Sequence, residues 1–200
     1  MEKLIRLLLC TLILCTLLSG STGALQAQGV HAGMARVQGT LALGLLNKSQ
    51  ELRYYLYGEG EYLLDDHWGL NGAVYAQMGS SKQEFSDNVS PSGGNYLTHS
   101  LFSGPVYHFR PNTPLDVYVA VQPGIHLTQS PRVEYPFGIT FPQAYDIHPA
   151  ASLNVGAAYY GSFFHLFGQL RAVTGHNLKA GTVYGLAELR PTFGLGFNLF

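Results

Sequence analysis

A histidine followed directly by a serine, His99-Ser100, is a pair of residues that could do chemistry. In acyl transfer a serine hydroxyl becomes a nucleophile when a histidine takes its proton and an acid orients that histidine. Neighbouring residues of a β-strand point to opposite faces, however, so a strand would hold these two side chains apart. No His-x-Ser-Asn run is present either. We therefore expect that the chain is not an enzyme.

Two further histidines, His126 and His148, could act as metal ligands. If their segments are strands, both side chains point inward near the outer ends of adjacent strands, and Asp146 lies at a loop boundary nearby. Zinc sites normally need three or four ligands, and this set lacks a well-placed third one. Both cysteines of the chain, Cys10 and Cys15, lie in an N-terminal segment that we assign to a signal peptide. We expect neither a metal site nor a cofactor.

The charged side chains recur at alternate positions, which is the spacing of one face of a β-strand. In Leu115–Thr128 the odd positions are all apolar, whereas the even ones include Asp116, Gln122 and His126. A period of two is the side-chain period of a strand, so one face of each segment is apolar and the other polar. The polar face contains the residues that we predict to form a polar network in the interior, the lumen, of a closed β-barrel: Arg36, Arg53, Glu59, Glu61, Asp116, Gln122, Arg171, Glu188 and Arg190.

The alternating pattern occurs eight times and predicts eight strands. No Asp, Glu, Lys or Arg falls on the apolar face of any of them. A soluble barrel would turn this face inward, but an eight-stranded barrel has too little interior volume for so many large apolar side chains. Lipid therefore has to cover the apolar face. The predicted strands are 35–46, 51–62, 68–79, 97–109, 115–128, 147–160, 163–174 and 183–199.

The N-terminal residues have the features of a secretory signal peptide. A short basic stretch precedes the apolar run Leu7–Leu18, which is too short to cross a bilayer as a helix. Small residues favour cleavage after Ala24 or Ala27. We assign residues 1–27 to the signal peptide and residues 28–200 to the barrel.

Composition and loop lengths agree with a membrane barrel. Charged residues make up 12% of the chain, whereas soluble domains have about 25%. The net charge of −1 gives no reason to expect nucleic acid as a partner. Short turns such as Gly161-Ser162 alternate with two long polar links, Gly79–Tyr96 and Gln129–Asp146. Outer-membrane barrels have short periplasmic turns and long extracellular loops.

On this alternation, this order of turns and the C-terminal segment Phe193–Phe200, the chain resembles the small eight-stranded outer-membrane barrels of the OmpA/OmpX-like group. The resemblance covers essentially all of residues 28–200. It implies an all-β fold, an eight-stranded antiparallel up-and-down transmembrane β-barrel, integral to the outer membrane of a Gram-negative-type cell. It also implies contact with outer-membrane lipid and lipopolysaccharide, and with the barrel-assembly machinery during insertion. The terminal aromatic residue is, in that group, part of the signal which this machinery reads.

Two features depart from the pattern of that group. Phe200 is out of step with the apolar positions of the last strand. Four prolines, Pro105, Pro123, Pro149 and Pro191, fall within predicted strands, although a barrel has no edge strand to accommodate them. We expect a bulge or a strand end at each proline.

Turn lengths predict two registers across the lumen. They place Arg36 opposite Glu61 and, through a two-residue Gly161-Ser162 turn, Asn154 opposite Gln169. Buried charges are stable only when they are paired and hydrogen-bonded. These pairs favour a packed, ion-paired core over a selectivity filter.

Together these features predict a non-enzymatic outer-membrane barrel with a plugged polar lumen. It would act in envelope structure or in surface interaction through its extracellular loops, with a surface or envelope protein as partner. Two alternatives stay open: a narrow, porin-like channel for a small molecule, lined by the lumen charges, and a lipid A-modifying enzyme of the kind found among small outer-membrane barrels.

Overall fold

The computed structural model describes residues 29–46, 52–79, 97–130, 133–134, 140–141, 144–177 and 184–199. The predicted signal peptide, Phe200 and most of the two long links lie outside these ranges. No helix in the described part of the chain is long and apolar enough to cross a membrane. The eight long strands are β1 (Ala35–Leu46), β2 (Leu52–Leu63), β3 (Trp68–Met78), β4 (Leu97–His108), β5 (Leu115–Ser130), β6 (Ala144–Tyr160), β7 (Phe164–Asn177) and β8 (Tyr184–Leu199).

These eight strands form a closed antiparallel barrel. Each strand pairs with its neighbour in sequence, and β1 closes the sheet by pairing with β8, where Ala35 lies opposite Leu199. Between β5 and β6, the two-residue strands Val133–Glu134 and Thr140–Phe141 pair with each other. The predicted fold is confirmed, and the predicted strand ends lie within three residues of the observed ones.

Side chains alternate between the lumen and the outer surface along every long strand. In β1, for example, Leu41 is 64% exposed and the adjacent Ala42 is 1% exposed. The outward positions carry large apolar side chains, with Phe193 at 77% exposure. A contiguous apolar surface of this extent marks contact with a membrane rather than with water. The predicted lipid-facing side of the sheet is therefore the outer side of the barrel.

The prolines lie inside strands without bulges, so the expectation for them was wrong. Pairing between β4 and β5 is interrupted between Phe102 and Val106, in the stretch that holds Pro105 and faces Pro123, and it resumes in the same register. Pro149 and Pro191 also leave the register of their strands unchanged. A proline removes one hydrogen-bond donor but adds no residue to the strand. The paired residues on either side therefore keep the alternation intact.

A short segment before β1, residues 29–34, folds across the end of the barrel that carries the short turns. We call it the N-terminal strap. Its Val30 and Met34 side chains are buried. The Leu63 N–H donates to the Met34 carbonyl over 2.9 Å, and the Asn112 N–H donates to the Val30 carbonyl over 3.2 Å. The strap thus packs two apolar side chains against the end of the barrel that the turn lengths predict to be periplasmic.

The apolar outer surface predicts a cost for charge that depends on depth. Val121 lies in the middle of β5 and Leu64 in the β2–β3 turn, with exposures of 62% and 63%. Val121→Arg should lower the free energy of unfolding in lipid vesicles by about 2–4 kcal/mol, because its charge sits in hydrocarbon. Leu64→Arg, at the interface, should lower it by about 0–1 kcal/mol. Equal losses in a denaturant titration of the two variants would contradict the assigned membrane position.

Candidate functional site

Three buried arginines project into the lumen, and each is paired with a glutamate. Alternation along β1, β7 and β8 turns them inward, where each is at most 1% exposed. Each guanidinium also lies over an aromatic ring. From the periplasmic end outward the pairs are Arg36–Glu61, Arg171–Glu59 and Arg190–Glu188.

The periplasmic layer is a four-residue charge network. Arg36 lies opposite Glu61 in the β1–β2 register, as the turn length predicted, and its Nε donates to Glu61 Oε2 over 2.5 Å. His108 lies between two carboxylates, with Nε2 2.8 Å from Glu61 Oε1 and Nδ1 2.6 Å from Asp116 Oδ2. Two ionised carboxylates only accept, so together they favour the imidazole with a proton on each ring nitrogen. Two basic and two acidic side chains face one another in this layer.

The middle layer centres on Arg171. Its NH2 group donates to Glu59 Oε2 over 2.9 Å, and its NH1 group donates to Ser152 Oγ over 3.1 Å and to Gln122 Oε1. Glu59 also accepts the Tyr57 hydroxyl over 2.5 Å. This layer therefore links four strands, β2, β5, β6 and β7, through one guanidinium.

The third layer surrounds Arg190. Its guanidinium donates to Glu188 Oε2 over 2.7 Å, to Ser100 Oγ over 3.1 Å and to the Tyr55 hydroxyl over 3.3 Å. The guanidinium carbon lies 4.2 Å from the centre of the Tyr55 ring. Charge-assisted hydrogen bonds and a cation–π contact thus act on the same group.

Arg171 and Arg190 face each other directly in the β7–β8 register. Like charges in directly opposed positions repel. Here the ring of Tyr75 contacts both, at 5.5 Å from the Arg171 guanidinium carbon and 4.7 Å from that of Arg190. Because each arginine also has its own glutamate, the two charges can share one face of the lumen.

Ser100 contacts a different histidine from the one beside it in sequence. Ser100 lies inward and His99 outward, and the Ser100 hydroxyl is 2.9 Å from His126 Nδ1. Within the described residues, His126 Nε2 has no hydrogen-bond partner, so no acid orients this imidazole. Ser100 Oγ also accepts from Arg190, which holds the hydroxyl in the core rather than presenting it to a substrate. This geometry does not supply a catalytic triad.

His126 and His148 are direct partners across β5 and β6, and both are buried. Asp146 lies opposite Thr128, one inward position nearer the extracellular end. Among the residues that the structure describes, no group of three or more histidine, cysteine, aspartate or glutamate side chains could hold a metal ion. Among the described residues, no third side chain of these types completes a metal site with His126 and His148.

The remaining predicted network residue, Arg53, is half-buried near the extracellular end of β2, while the other eight are buried in the three layers. The prediction that Asn154 faces Gln169 was wrong: Asn154 faces Arg171, and Gln169 faces Gly156. The β6–β7 connection is two residues longer than a Gly-Ser hairpin, because Tyr160 pairs with His165. The shift is even, so both side chains stay inward, and the Asn154 amide still donates to Gln169 Oε1 over 2.9 Å.

Several network members were not singled out in the sequence. Strict alternation places them inward, but only the fold shows which groups they meet across the barrel. Arg36 NH1 donates to the Tyr160 hydroxyl, and the Tyr118 hydroxyl donates to Gln169 Oε1 over 3.1 Å. His165 joins Asn198 and Gln38 through its two ring nitrogens.

The periplasmic network predicts a large energetic asymmetry between buried and exposed arginines. Arg36→Met leaves Glu61 and Asp116 with His108 alone, and should lower the free energy of unfolding by about 3–5 kcal/mol. Arg110→Met, in the exposed β4–β5 turn, should change it by less than about 0.5 kcal/mol. Adding Glu61→Gln to Arg36→Met should recover part of the loss. A denaturant titration that shows additive losses would contradict the pairing.

Comparisons with known proteins support the fold. No protein-family model matches the chain, and no curated protein does. Among solved structures, Ail, the attachment invasion locus protein of Yersinia pestis, aligns with a TM-score of 0.52 at 12% identity, over 84% of this chain and 99% of Ail. Neisserial surface protein A aligns at 0.56 and 10% identity, over 82% and 95%. OprG from Pseudomonas aeruginosa aligns at 0.55 and 10% identity, over 87% and 99%.

These neighbours are integral outer-membrane β-barrel proteins, and identities this low show the fold alone. The apolar outer surface of this barrel independently requires a membrane. The outer-membrane location predicted from the sequence is thereby confirmed, and the chain has the fold of the small eight-stranded outer-membrane barrels.

Proposed function

We propose that this chain is a non-enzymatic outer-membrane barrel with a plugged lumen, which acts in envelope structure or in surface interaction through its extracellular loops. The observation that supports this most is the filled interior. Three guanidinium groups, their glutamates and the rings of Tyr55, Tyr57, Tyr75 and Phe102 are buried in the lumen. Tyr57 and Tyr75 pack with ring centres 4.8 Å apart. An eight-stranded barrel has little interior beyond what its side chains need.

The long links are the part of the chain that a rigid barrel would present to the outside. In sequence, 79–96 is polar and glycine-rich, and 129–146 contains the apolar stretch Tyr135–Pro142. Two structural neighbours are a surface protein and an attachment invasion locus protein, and the latter has also been solved in complex with the heparin analogue sucrose octasulfate. These properties belong to those proteins, and they favour a surface role here.

A lipid A-modifying enzyme is less well supported by the site. Its nucleophile would have to reach the outer leaflet, whereas Ser100 is 3% exposed and donates or accepts only within the core. The expected partners are therefore outer-membrane lipid and lipopolysaccharide around the barrel, the assembly machinery during insertion, and a surface or envelope protein at the loops.

Single-channel recording tests the plugged lumen. The unmodified protein in a planar bilayer should show no steady conductance, because Tyr57 and Tyr75 cross the lumen. The double variant Tyr57→Ala, Tyr75→Ala should show discrete openings. Tyr54→Ala, on the outer face at 54% exposure, is the matched control and should stay silent. Large steady currents from the unmodified protein would overturn the proposal and favour the narrow channel.

Shortened loops separate the two proposed roles. Cells making a barrel in which 80–95 and 131–143 are replaced by short turns should lose adhesion to surfaces if the loops bind a partner. If the barrel serves envelope structure, those cells should keep normal detergent resistance, and only cells without the barrel should lose it. In both cases the lipid A mass spectrum should be the same with and without the protein. A difference in acylation would support the enzyme instead.

A further inference from the structure

A groove of about 560 Å³ opens at the periplasmic rim of the barrel, outside the lumen network. It lies where the N-terminal strap meets the β2–β3 turn and the neighbouring strand ends. Its walls come from three separate parts of the chain, which the barrel brings together. The lining residues are Ala32, Asp65, Asp66, His67, Trp68 and Tyr107.

One wall of the groove is aromatic and continues into the lipid-facing surface. Trp68 is 47% exposed, and its ring centre lies 5.0 Å from that of Tyr107. His67 stacks on the other side, with its ring centre 5.8 Å from Tyr107, and Phe109 lies 5.1 Å from Tyr107. Tryptophan and tyrosine at the end of a membrane strand sit at the level of the lipid headgroups. The groove therefore borders the periplasmic leaflet.

The other wall carries two carboxylates. Asp65 Oδ1 accepts the N–H groups of His67 and Trp68, both over 2.7 Å, and Asp66 Oδ1 accepts the Ala32 N–H over 3.0 Å. These hydrogen bonds use one oxygen of each carboxylate, Oδ1. The two backbone N–H groups hold the pKa of Asp65 below its ordinary value, so it stays ionised at neutral pH. No lysine or arginine is among the residues that line the groove.

We propose that this groove binds the primary ammonium headgroup of a phospholipid in the periplasmic leaflet. An ammonium group is positively charged and therefore complements the two negative aspartates. Its N–H groups can donate to their Oδ2 atoms. The faces of Trp68 and Tyr107 attract the same cation through their ring quadrupoles. A quaternary ammonium keeps the cation–π contact but has no N–H to donate, and an anionic headgroup meets two negative charges. The acyl chains would lie on the apolar strand surface beside Trp68.

The chain contains one tryptophan, Trp68, so its fluorescence reports on this groove directly. The purified protein in detergent micelles is titrated with short-chain phosphatidylethanolamine, phosphatidylcholine and phosphatidylglycerol of equal chain length. The first should shift the emission of Trp68 saturably, and the second should bind about tenfold more weakly, because the charge-assisted hydrogen bonds are lost. The third should give no saturable shift.

Matched variants assign the response to the carboxylates. Asp65→Asn and Asp66→Asn keep an oxygen for the backbone N–H groups but remove the charge, and each should weaken phosphatidylethanolamine binding by about tenfold. Asp87→Asn, in the sequence between β3 and β4, removes the same charge and should leave binding unchanged. Heat-dependent gel migration verifies that each variant folds. If Asp65→Asn does not fold, the binding measurement is made on Asp66→Asn alone.

Three results would overturn the proposal. Equal shifts with all three lipids would mean that the groove does not recognise the headgroup. A shift of the same size with free ethanolamine at equal concentration would make the ligand a soluble amine rather than a lipid. Unchanged binding in both asparagine variants would remove the aspartates from the site.

Discussion

The structure depends on one constraint: a charge inside a narrow membrane barrel has to find its partner there. Lipid surrounds the strands, and the charged side chains of the three layers are buried, so bulk water is not available to compensate their charges. The buried arginines meet this constraint with one glutamate each, and His108 balances the second carboxylate of the periplasmic layer. Removing any one of these groups leaves another charge without compensation, at a cost of several kcal/mol.

Because paired charges fill the lumen, the surfaces that remain for binding lie on the outside of the molecule. A lumen that is cross-linked at three levels is a rigid scaffold, because each guanidinium joins strands that are far apart in sequence. Arg36 on β1 reaches Tyr160 on β6, for example, and Arg171 on β7 reaches Glu59 on β2. What is left for recognition is the lipid-facing surface, the periplasmic rim and the long links. Surface interaction and headgroup binding both use parts of the chain that this scaffold holds in place.

The alternation of polar and apolar residues predicted most of the fold, because a period of two can be recognised from the residue types of one segment alone. It placed the strands to within three residues and put the charged side chains inward. Contacts across the barrel could not be predicted in this way. Arg171 is 112 positions from Glu59, and His108 is 47 from Glu61, so nothing local in the sequence joins either pair. The Asn154 register failed for a related reason: one connection was two residues longer than its Gly-Ser signal indicates.

Glycines show how so many large side chains fit into one narrow lumen. A Cβ atom at Gly44 would overlap Glu188 and Tyr55, and one at Gly69 would overlap Glu61. On the outer face, by contrast, a Cβ at Gly58 or at Gly72 would meet open space. The inward glycines thus free the volume next to the ion pairs, and a methyl group there would displace a paired carboxylate. Charge pairing and side-chain volume are therefore linked in this barrel: the glutamates that pair with Arg36 and Arg190 fit because a glycine lies beside each of them.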